Sequence, residues 1–203
     1  MKTRSEPFLW IHLGGIVMFP LFFLLTALGL AVGKSYSYWL EVPILTAVAI
    51  LPVLLMQLYR PFNIFSVLLF SLKPQILTAD RRRILALFQR KQQKLVNAIA
   101  SILMLLALWL IYNLSPAVAG IAELLPQSRL LGLAIASVAF FGSNLFLQIP
   151  LNALQVLLIK ESELEQIELY TPEAVESSFT TPGIQLSQIP FLSTQNSTAE
   201  EIN

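Results

Sequence analysis

The chain has 203 residues, of which 56% are apolar and 12% are charged, and its mean hydropathy is +0.70. Soluble domains usually carry about 25% charged residues, so this composition excludes an ordinary soluble protein and predicts an integral membrane protein. The net charge of +1 conceals an asymmetry, because residues 59–94 hold eight basic residues and one acidic residue, whereas residues 161–203 hold eight acidic residues and no basic one.

The first transmembrane helix is predicted over residues 8–32, which carry no charged side chain. A helix needs roughly 20 apolar residues to cross a bilayer, and this run exceeds the roughly 7–15 residues of a signal peptide, so we interpret it as an uncleaved span. His12, the only histidine, lies near its start. Its imidazole can bond a lipid headgroup or a loop carbonyl; the alternative hypothesis is an axial ligand for chlorophyll magnesium.

The second transmembrane helix is predicted over residues 39–58, with Glu41 at its mouth. The apolar stretch that follows, between Pro61 and Pro74, is too short to cross a bilayer. We therefore expect a short interfacial helix over residues 61–72.

The third transmembrane helix is predicted over residues 95–114, as the continuation of a basic arm over residues 79–94. Thr78 is a suitable N-cap, and neither Gly nor Pro interrupts the helical pattern before Pro116, so one long helix is expected. The arm can rest on anionic lipid headgroups, dock a partner protein, or do both. Its basic residues are Arg81, Arg82, Arg83, Arg90, Lys91 and Lys94.

The fourth transmembrane helix is predicted over residues 130–149. Pro150 is expected to cause a kink near Gln148 that turns the chain along the membrane surface. Residues 161–203 then form an acidic tail, whose polarity and spaced prolines predict an extended or disordered segment. Apolar residues in the tail can dock on a partner or on the chain's own basic arm, and the sequence leaves both open. The expected docking residues are Phe179, Ile184, Leu186 and Phe191.

The distribution of Lys and Arg predicts that both termini are cytoplasmic. In that orientation eleven of the 13 basic residues lie on the cytoplasmic side, and only Lys34 and Arg129 lie on the other. The fold class is therefore an all-α integral membrane protein with four transmembrane helices, a short interfacial helix and a cytoplasmic acidic tail. The opposite interface gathers an aromatic belt, which supports this orientation: Tyr36, Tyr38, Trp39, Trp109 and Tyr112.

Small residues on two spans predict faces where helices approach closely. The neighbouring helix belongs either to the chain's own bundle or to another subunit, and the sequence leaves both open. These residues are Gly29 and Gly33 on the first span, and Gly132, Ala136, Ala139 and Ser143 on the fourth.

The sequence offers little catalytic chemistry. The interiors of the predicted spans hold no ionisable group, which disfavours ion-coupled transport. The chain has no cysteine, which excludes thiolate sites, and it has no Walker, HExxH, dinucleotide-binding or GxSxG motif. Glu41 and Glu123 have no obvious partner. We therefore expect neither an enzyme nor a nucleic-acid partner.

Four segments, SEPFLWIHL, LYRPFNIFSVLLFSLKPQILT, SNLFLQIP and FTTPGIQLSQI, carry a family resemblance. Together they resemble a cyanobacterial family, the low-complexity tail membrane proteins, over residues 5–190. The resemblance implies a thylakoid or plasma membrane and carries over no catalytic residue. We therefore expect an auxiliary or assembly factor, or a minor subunit, of a photosynthetic complex such as photosystem II. Its expected partners are photosystem subunits and anionic lipids, and any chlorophyll or carotenoid is expected to belong to the partner complex.

Two other functions remain open: a small pore or carrier for a neutral or lipid-like solute, and a chlorophyll carrier that uses His12. A pore requires polar residues that converge on one axis, whereas a scaffold has a dry centre. The candidates for such an axis are Asn97, Ser101, Ser143, Asn144 and Gln148.

Overall fold

A computed structural model describes residues 5–67 and 70–187 of the chain. Within these residues, four helical segments are long and apolar enough to cross a membrane, which is the number of spans that the sequence predicts. These segments are Pro7–Ala31, Tyr38–Tyr59, Lys91–Ala122 and Arg129–Leu158.

Shorter elements connect and cap the spans. The α-helices in the described ranges are α1 (Pro7–Gly14), α2 (Met18–Ala31), α3 (Tyr38–Leu45), α4 (Leu51–Tyr59), α5 (Ala79–Leu87), α6 (Lys91–Leu114), α7 (Ala119–Ala122), α8 (Arg129–Leu158), α9 (Glu161–Glu165) and α10 (Pro172–Ser178). The strands are β1 (Ser66–Val67), β2 (Phe70–Leu72) and β3 (Ile184–Leu186).

The second span contains a wide π turn, Thr46–Ile50, between α3 and α4. Pro52 follows this turn and has no N–H to donate, so a regular α-helical bond is lost here. Such π turns occur often at functional positions in helices.

The first and fourth spans approach each other backbone to backbone. A Cβ added to Gly29 would lie 2.6 Å from the backbone nitrogen of Ala136, and one added to Gly132 would lie 2.6 Å from the carbonyl oxygen of Gly29. Gly33, two residues after the first span, has a φ of +68°, and a Cβ there would lie 2.9 Å from the backbone nitrogen of Arg129. Only glycine fits these three positions without a backbone shift.

The rest of the small-residue stripe lies in the same bundle. Ala136 is buried in the apolar core that the four spans share, and Ala139 is also buried. Ser143 is also buried, and its hydroxyl donates to the carbonyl oxygen of Phe19 at 3.5 Å. The structure therefore places these residues at contacts within the chain.

The interfacial helix predicted over residues 61–72 is wrong, because strands β1 and β2 form there instead. β1 pairs antiparallel with β2, and β2 pairs parallel with β3, so that Phe70 lies beside Ile184. The partner strand comes from the tail, far away in the sequence, and a local pattern of apolar residues carries no information about it.

The single long helix predicted from the basic arm into the third span is also wrong. α5 ends at Leu87, and α6 begins at Lys91 after a turn in which the Arg90 nitrogen donates to the carbonyl oxygen of Leu87. Ile84 on α5 and Phe88 directly after it are both buried in the core of the lobe. This burial draws α5 away from the axis of the third span.

Residues 60–67, 70–90 and 159–187 fold together into a lobe. It lies at the end of the bundle where the spans begin at Pro7 and Lys91 and end at Tyr59 and Leu158. α8 continues through Pro150 as far as Leu158, so the helix does not end at the predicted kink. Its last turns supply Val156 and Leu157 to the core of the lobe.

The part of the acidic tail that the structure describes is folded, so the prediction of an extended or disordered segment is wrong for residues 161–187. Thr171 caps α10 by accepting from the Ala174 nitrogen at 3.2 Å. Val175 and Phe179 are 0% and 1% exposed in the core of the lobe. Of the two docking hypotheses, the structure has the tail docked on its own chain.

Candidate functional site

A row of uncharged polar side chains lies inside the bundle, and we call it the amide seam. Four-residue spacing places three of its members on one face of α6 and three on one face of α8. None is more than 6% exposed. The members are Gln57, Gln93, Asn97, Ser101, Asn144, Gln148 and Asn152.

The end of the seam nearest the lobe joins three spans. Gln93 Nε2 donates to Asn152 Oδ1 at 2.9 Å. Asn152 Nδ2 donates in turn to Gln57 Oε1 at 3.2 Å. These bonds link α6, α8 and α4 through neutral side chains.

The deeper end of the seam joins the same spans again. Gln148 Nε2 donates to Ser101 Oγ at 3.0 Å and to Asn144 Oδ1 at 2.8 Å. Asn144 Nδ2 donates to the carbonyl oxygen of Ala49 at 3.1 Å. Because Ala49 lies in the π turn, the seam ends at the irregular part of the second span.

The middle of the seam has unused hydrogen-bonding capacity. Both side-chain atoms of Asn97, together with Gln57 Nε2 and Gln148 Oε1, are buried and have no hydrogen-bond partner among the described residues. An unpaired buried polar group costs about 1–3 kcal/mol. This cost makes the middle of the seam a candidate site for a small hydrogen-bonding molecule.

The sequence identified part of this seam. Of the five polar residues proposed for a common axis, Asn97, Ser101, Asn144 and Gln148 lie in the seam, whereas Ser143 faces the first span. The sequence analysis missed the other members, Gln57, Gln93 and Asn152. The four-residue spacing of amides on α6 and α8 was a readable signal for the last two, while Gln57 stands alone on its helix.

The opposite end of the bundle holds a buried ion pair. Arg129 Nε donates to Glu41 Oε1 at 2.7 Å, and its Nη1 donates to the carbonyl oxygens of Leu30 at 2.7 Å and Val32 at 2.9 Å. Tyr112 donates its hydroxyl to Glu41 Oε2 at 2.9 Å. The expectation that Glu41 lacks a partner is therefore wrong, and the ion-pair cluster joins all four spans.

His12 lies beside an apolar cavity of about 340 Å³ near the lobe, between the first span, Phe62 and Pro150. Its Nδ1 bonds the carbonyl oxygen of Phe8 at 2.8 Å, and its ring packs edge-on against Phe62 with 5.8 Å between ring centroids. With Nδ1 bonded to a backbone carbonyl, Nε2 is the ring nitrogen that a magnesium macrocycle would have to use. Binding of chlorophyll through His12 stays a prediction, which an absorption spectrum of the purified protein tests.

The first two arginines of the predicted basic arm make contacts inside the lobe. Arg81 forms a two-point ion pair with buried Glu6, with Nε at 2.9 Å and Nη2 at 3.1 Å from its carboxylate oxygens. Arg82 Nη1 donates to the carbonyl oxygen of Tyr170 at 3.2 Å. Both side chains therefore hold the N-terminus and the tail against α5.

The remaining basic residues of the arm face outward to a greater degree. Arg83 lies 3.7 Å from Asp80, one turn earlier on α5. Arg90 and Lys91 are exposed, and Lys94 is half-buried. These residues keep the lobe's junction with the bundle positively charged.

The apolar residues of the tail divide into buried and exposed ones. Phe179 is buried in the lobe and Leu186 is half-buried. Ile184 is 63% exposed and lies beside Phe70, which is 45% exposed on the neighbouring strand. Phe191 lies outside the described residues. We call Phe70 and Ile184 the exposed sheet pair.

Comparison with known proteins adds a family assignment and no relative of known activity. A family model described as low-complexity tail membrane protein-like matches residues 5–191. Neither a curated protein nor a solved structure matches the chain.

Proposed function

This chain belongs to the low-complexity tail membrane protein-like family, and from that premise we propose that it is a non-catalytic membrane interaction protein. In this proposal it serves as an auxiliary or assembly factor, or a minor subunit, of a photosynthetic membrane complex such as photosystem II. The lobe faces the cytoplasm and presents the docking surface to partner subunits.

The observation that supports docking most directly is the exposed sheet pair. Two large apolar side chains, 45% and 63% exposed, stand side by side on a sheet whose register is fixed by β2–β3 pairing. Binding energy in protein interfaces is concentrated in such anchors. Because the sheet is already folded, docking requires little further ordering of the backbone.

Basic residues of the lobe also support docking at the exposed sheet pair. Lys73 follows β2 directly, is exposed, and donates its backbone N–H to the carbonyl oxygen of Leu186 at 3.1 Å. Arg60, also exposed, ties the lobe to the tail by donating to the carbonyl oxygens of Glu176 and Phe179. Exposed basic residues on the same lobe as an apolar anchor favour a partner with an acidic surface, since complementary charge raises association rates and excludes wrong partners.

The test is affinity purification from native membranes of a photosynthetic cell in mild detergent, with a tag placed after residue 203. The variant Ile184→Glu is compared with Gln185→Glu, which introduces the same charge at the neighbouring exposed position of β3. We expect photosystem proteins to co-purify with the wild-type chain and with Gln185→Glu. Their yield should fall about tenfold or more with Ile184→Glu, as for loss of an interface anchor.

Two results would contradict the proposal. One is recovery of the wild-type chain alone or only with copies of itself. The other is equal recovery of partners with both variants, which would leave docking in place but assign it to another surface.

The amide seam favours a second candidate, a pore or carrier for a small neutral solute. The polar residues converge inside the bundle, which a dry scaffold does not require. Osmotic swelling of proteoliposomes in isotonic urea tests this candidate, with protein-free liposomes as the baseline. Swelling at the baseline rate would count against it.

A further inference from the structure

The amide seam reaches the surface at the junction of bundle and lobe. A cavity of about 250 Å³ lies there, and its lining includes Arg90, Gln92, Gln93 and Gln155. Gln93 is also the first member of the seam. Gln155 Nε2 is buried without a partner among the described residues. Polar groups therefore continue from this cavity into the bundle.

The middle of the seam has a defined chemical preference. Asn97 lies about one helical turn from Gln93 and one turn from Ser101. Its amide, Gln57 Nε2 and Gln148 Oε1 together offer two unused donor groups and two unused acceptors. These groups are neutral, so they suit a neutral molecule that both donates and accepts, and they offer no counter-charge to an ion.

The path closes beyond Ser101. The next buried side chains on α6 are Met104 and Leu108, which pack with Leu45 and Phe140. All four are at most 1% exposed. This apolar layer separates the seam from the ion-pair cluster at the opposite end of the bundle.

From these three observations we propose that the amide seam is a hydrated half-channel. It admits water and small neutral molecules of the amide and urea class from the lobe end, binds them at Asn97, and ends at the apolar layer. This inference does not depend on the docking function. It also differs from the open pore considered above, because a half-channel is closed at the apolar layer and does not conduct across the bundle.

Because the chain has no cysteine, single cysteines can report on this path. Three variants on α6 are compared in native-like membranes: Gln92→Cys at the exposed mouth, Ser101→Cys in the seam and Leu108→Cys in the apolar layer. The probe is iodoacetamide, a small neutral amide, whose iodide is displaced by the thiolate sulfur to form a thioether. Mass spectrometry of the intact chain gives the rate of alkylation.

We expect Ser101→Cys to react within about tenfold of Gln92→Cys and Leu108→Cys to react about 100-fold more slowly, because a thiol in dry apolar surroundings forms little thiolate. An excess of acetamide should slow alkylation of Ser101→Cys but not of Gln92→Cys. Asn97→Cys provides a second position in the seam, with the same expected rate as Ser101→Cys.

The proposal is overturned if both seam cysteines react as slowly as Leu108→Cys. It is also overturned if excess acetamide slows alkylation of Ser101→Cys no more than it slows alkylation of Gln92→Cys. The seam would then hold no site for this class of molecule. Neither result bears on whether partners co-purify with the chain, so failure of this inference is distinct from failure of the docking function.

Discussion

At the scale of single residues, the ion pair between Glu41 and Arg129 carries a large desolvation cost, because both charges are buried in the bundle. Both side chains are at most 4% exposed, and the arginine satisfies two backbone carbonyls as well as the carboxylate. Taking two charges out of water costs several kcal/mol for each, which only close contact and full hydrogen bonding offset. The pair therefore fixes how the four spans meet at this end.

Removing one partner of this pair is expected to destabilise the protein strongly. Glu41→Gln leaves the guanidinium of Arg129 buried without a counter-charge, at a cost of roughly 3 kcal/mol or more. We expect the melting temperature in detergent, followed by tryptophan fluorescence, to fall by about 10 °C.

The matched control for that prediction is Glu123→Gln, which makes the same chemical change at an exposed position near the same end of the bundle. It should melt like the wild type. If Glu41→Gln also melted like the wild type, the ion pair would contribute nothing to the stability of the bundle.

At the scale of elements, the lobe depends on the tail for its core. Phe179 is 1% exposed, and its ring lies 6.4 Å from that of Tyr170, centroid to centroid. Arg60, Arg82 and Gln89 donate to backbone carbonyls of the tail, so neutral acceptors hold it in place. The sequence suggested that glutamates of the tail attract the basic arm. In the structure, backbone carbonyls of the tail accept these bonds, and the glutamate side chains do not.

Truncating Phe179 is expected to release the tail. Phe179→Ala removes a fully buried ring, which costs roughly 3–5 kcal/mol in a well-packed core. The tail has no Lys or Arg but several glutamates, so a Glu-specific protease reports its release. We expect faster cleavage between residues 161 and 176 in the variant than in the wild type.

Ile184→Ala is the control for Phe179→Ala in this proteolysis experiment, because it truncates an exposed residue of the tail. Its cleavage should stay close to the wild-type rate. Equal protection of Phe179→Ala and wild type would mean that the tail is held by its hydrogen bonds and not by the buried ring.

Helical spans were predictable from sequence because each is set by about 20 consecutive residues of one character. Gly29 and Gly132 could be identified as packing residues, because small residues at helical spacing are visible in each span by itself. The sequence did not show that these two glycines contact each other. The lobe was not predictable, since β2 pairs with β3 from the tail and α5 turns inward only to bury Ile84 and Phe88. Such contacts between distant segments leave no local periodicity.

At the scale of the whole molecule, charge is distributed unequally between the two ends. The lobe and its junction with the bundle carry Arg60, Lys73, Arg90 and Lys91 as exposed basic residues. At the opposite end Arg129 is neutralised by Glu41, which leaves Lys34 exposed. The ion pair thus increases the difference in unpaired basic charge between the two ends of the bundle, beyond the difference that the sequence alone indicates.

This asymmetry predicts that the lobe is cytoplasmic, because basic loops are retained on that side of the membrane. Lys34→Cys and Lys73→Cys place single thiols at the two ends of a chain that has no other cysteine. On sealed vesicles whose outer face is the non-cytoplasmic one, a membrane-impermeant maleimide should label Lys34→Cys at once and Lys73→Cys only after the vesicles are permeabilised. The reverse order would place the lobe and the exposed sheet pair on the non-cytoplasmic side, where the proposed cytoplasmic partners could not reach them, and the docking function would have to be abandoned in that form.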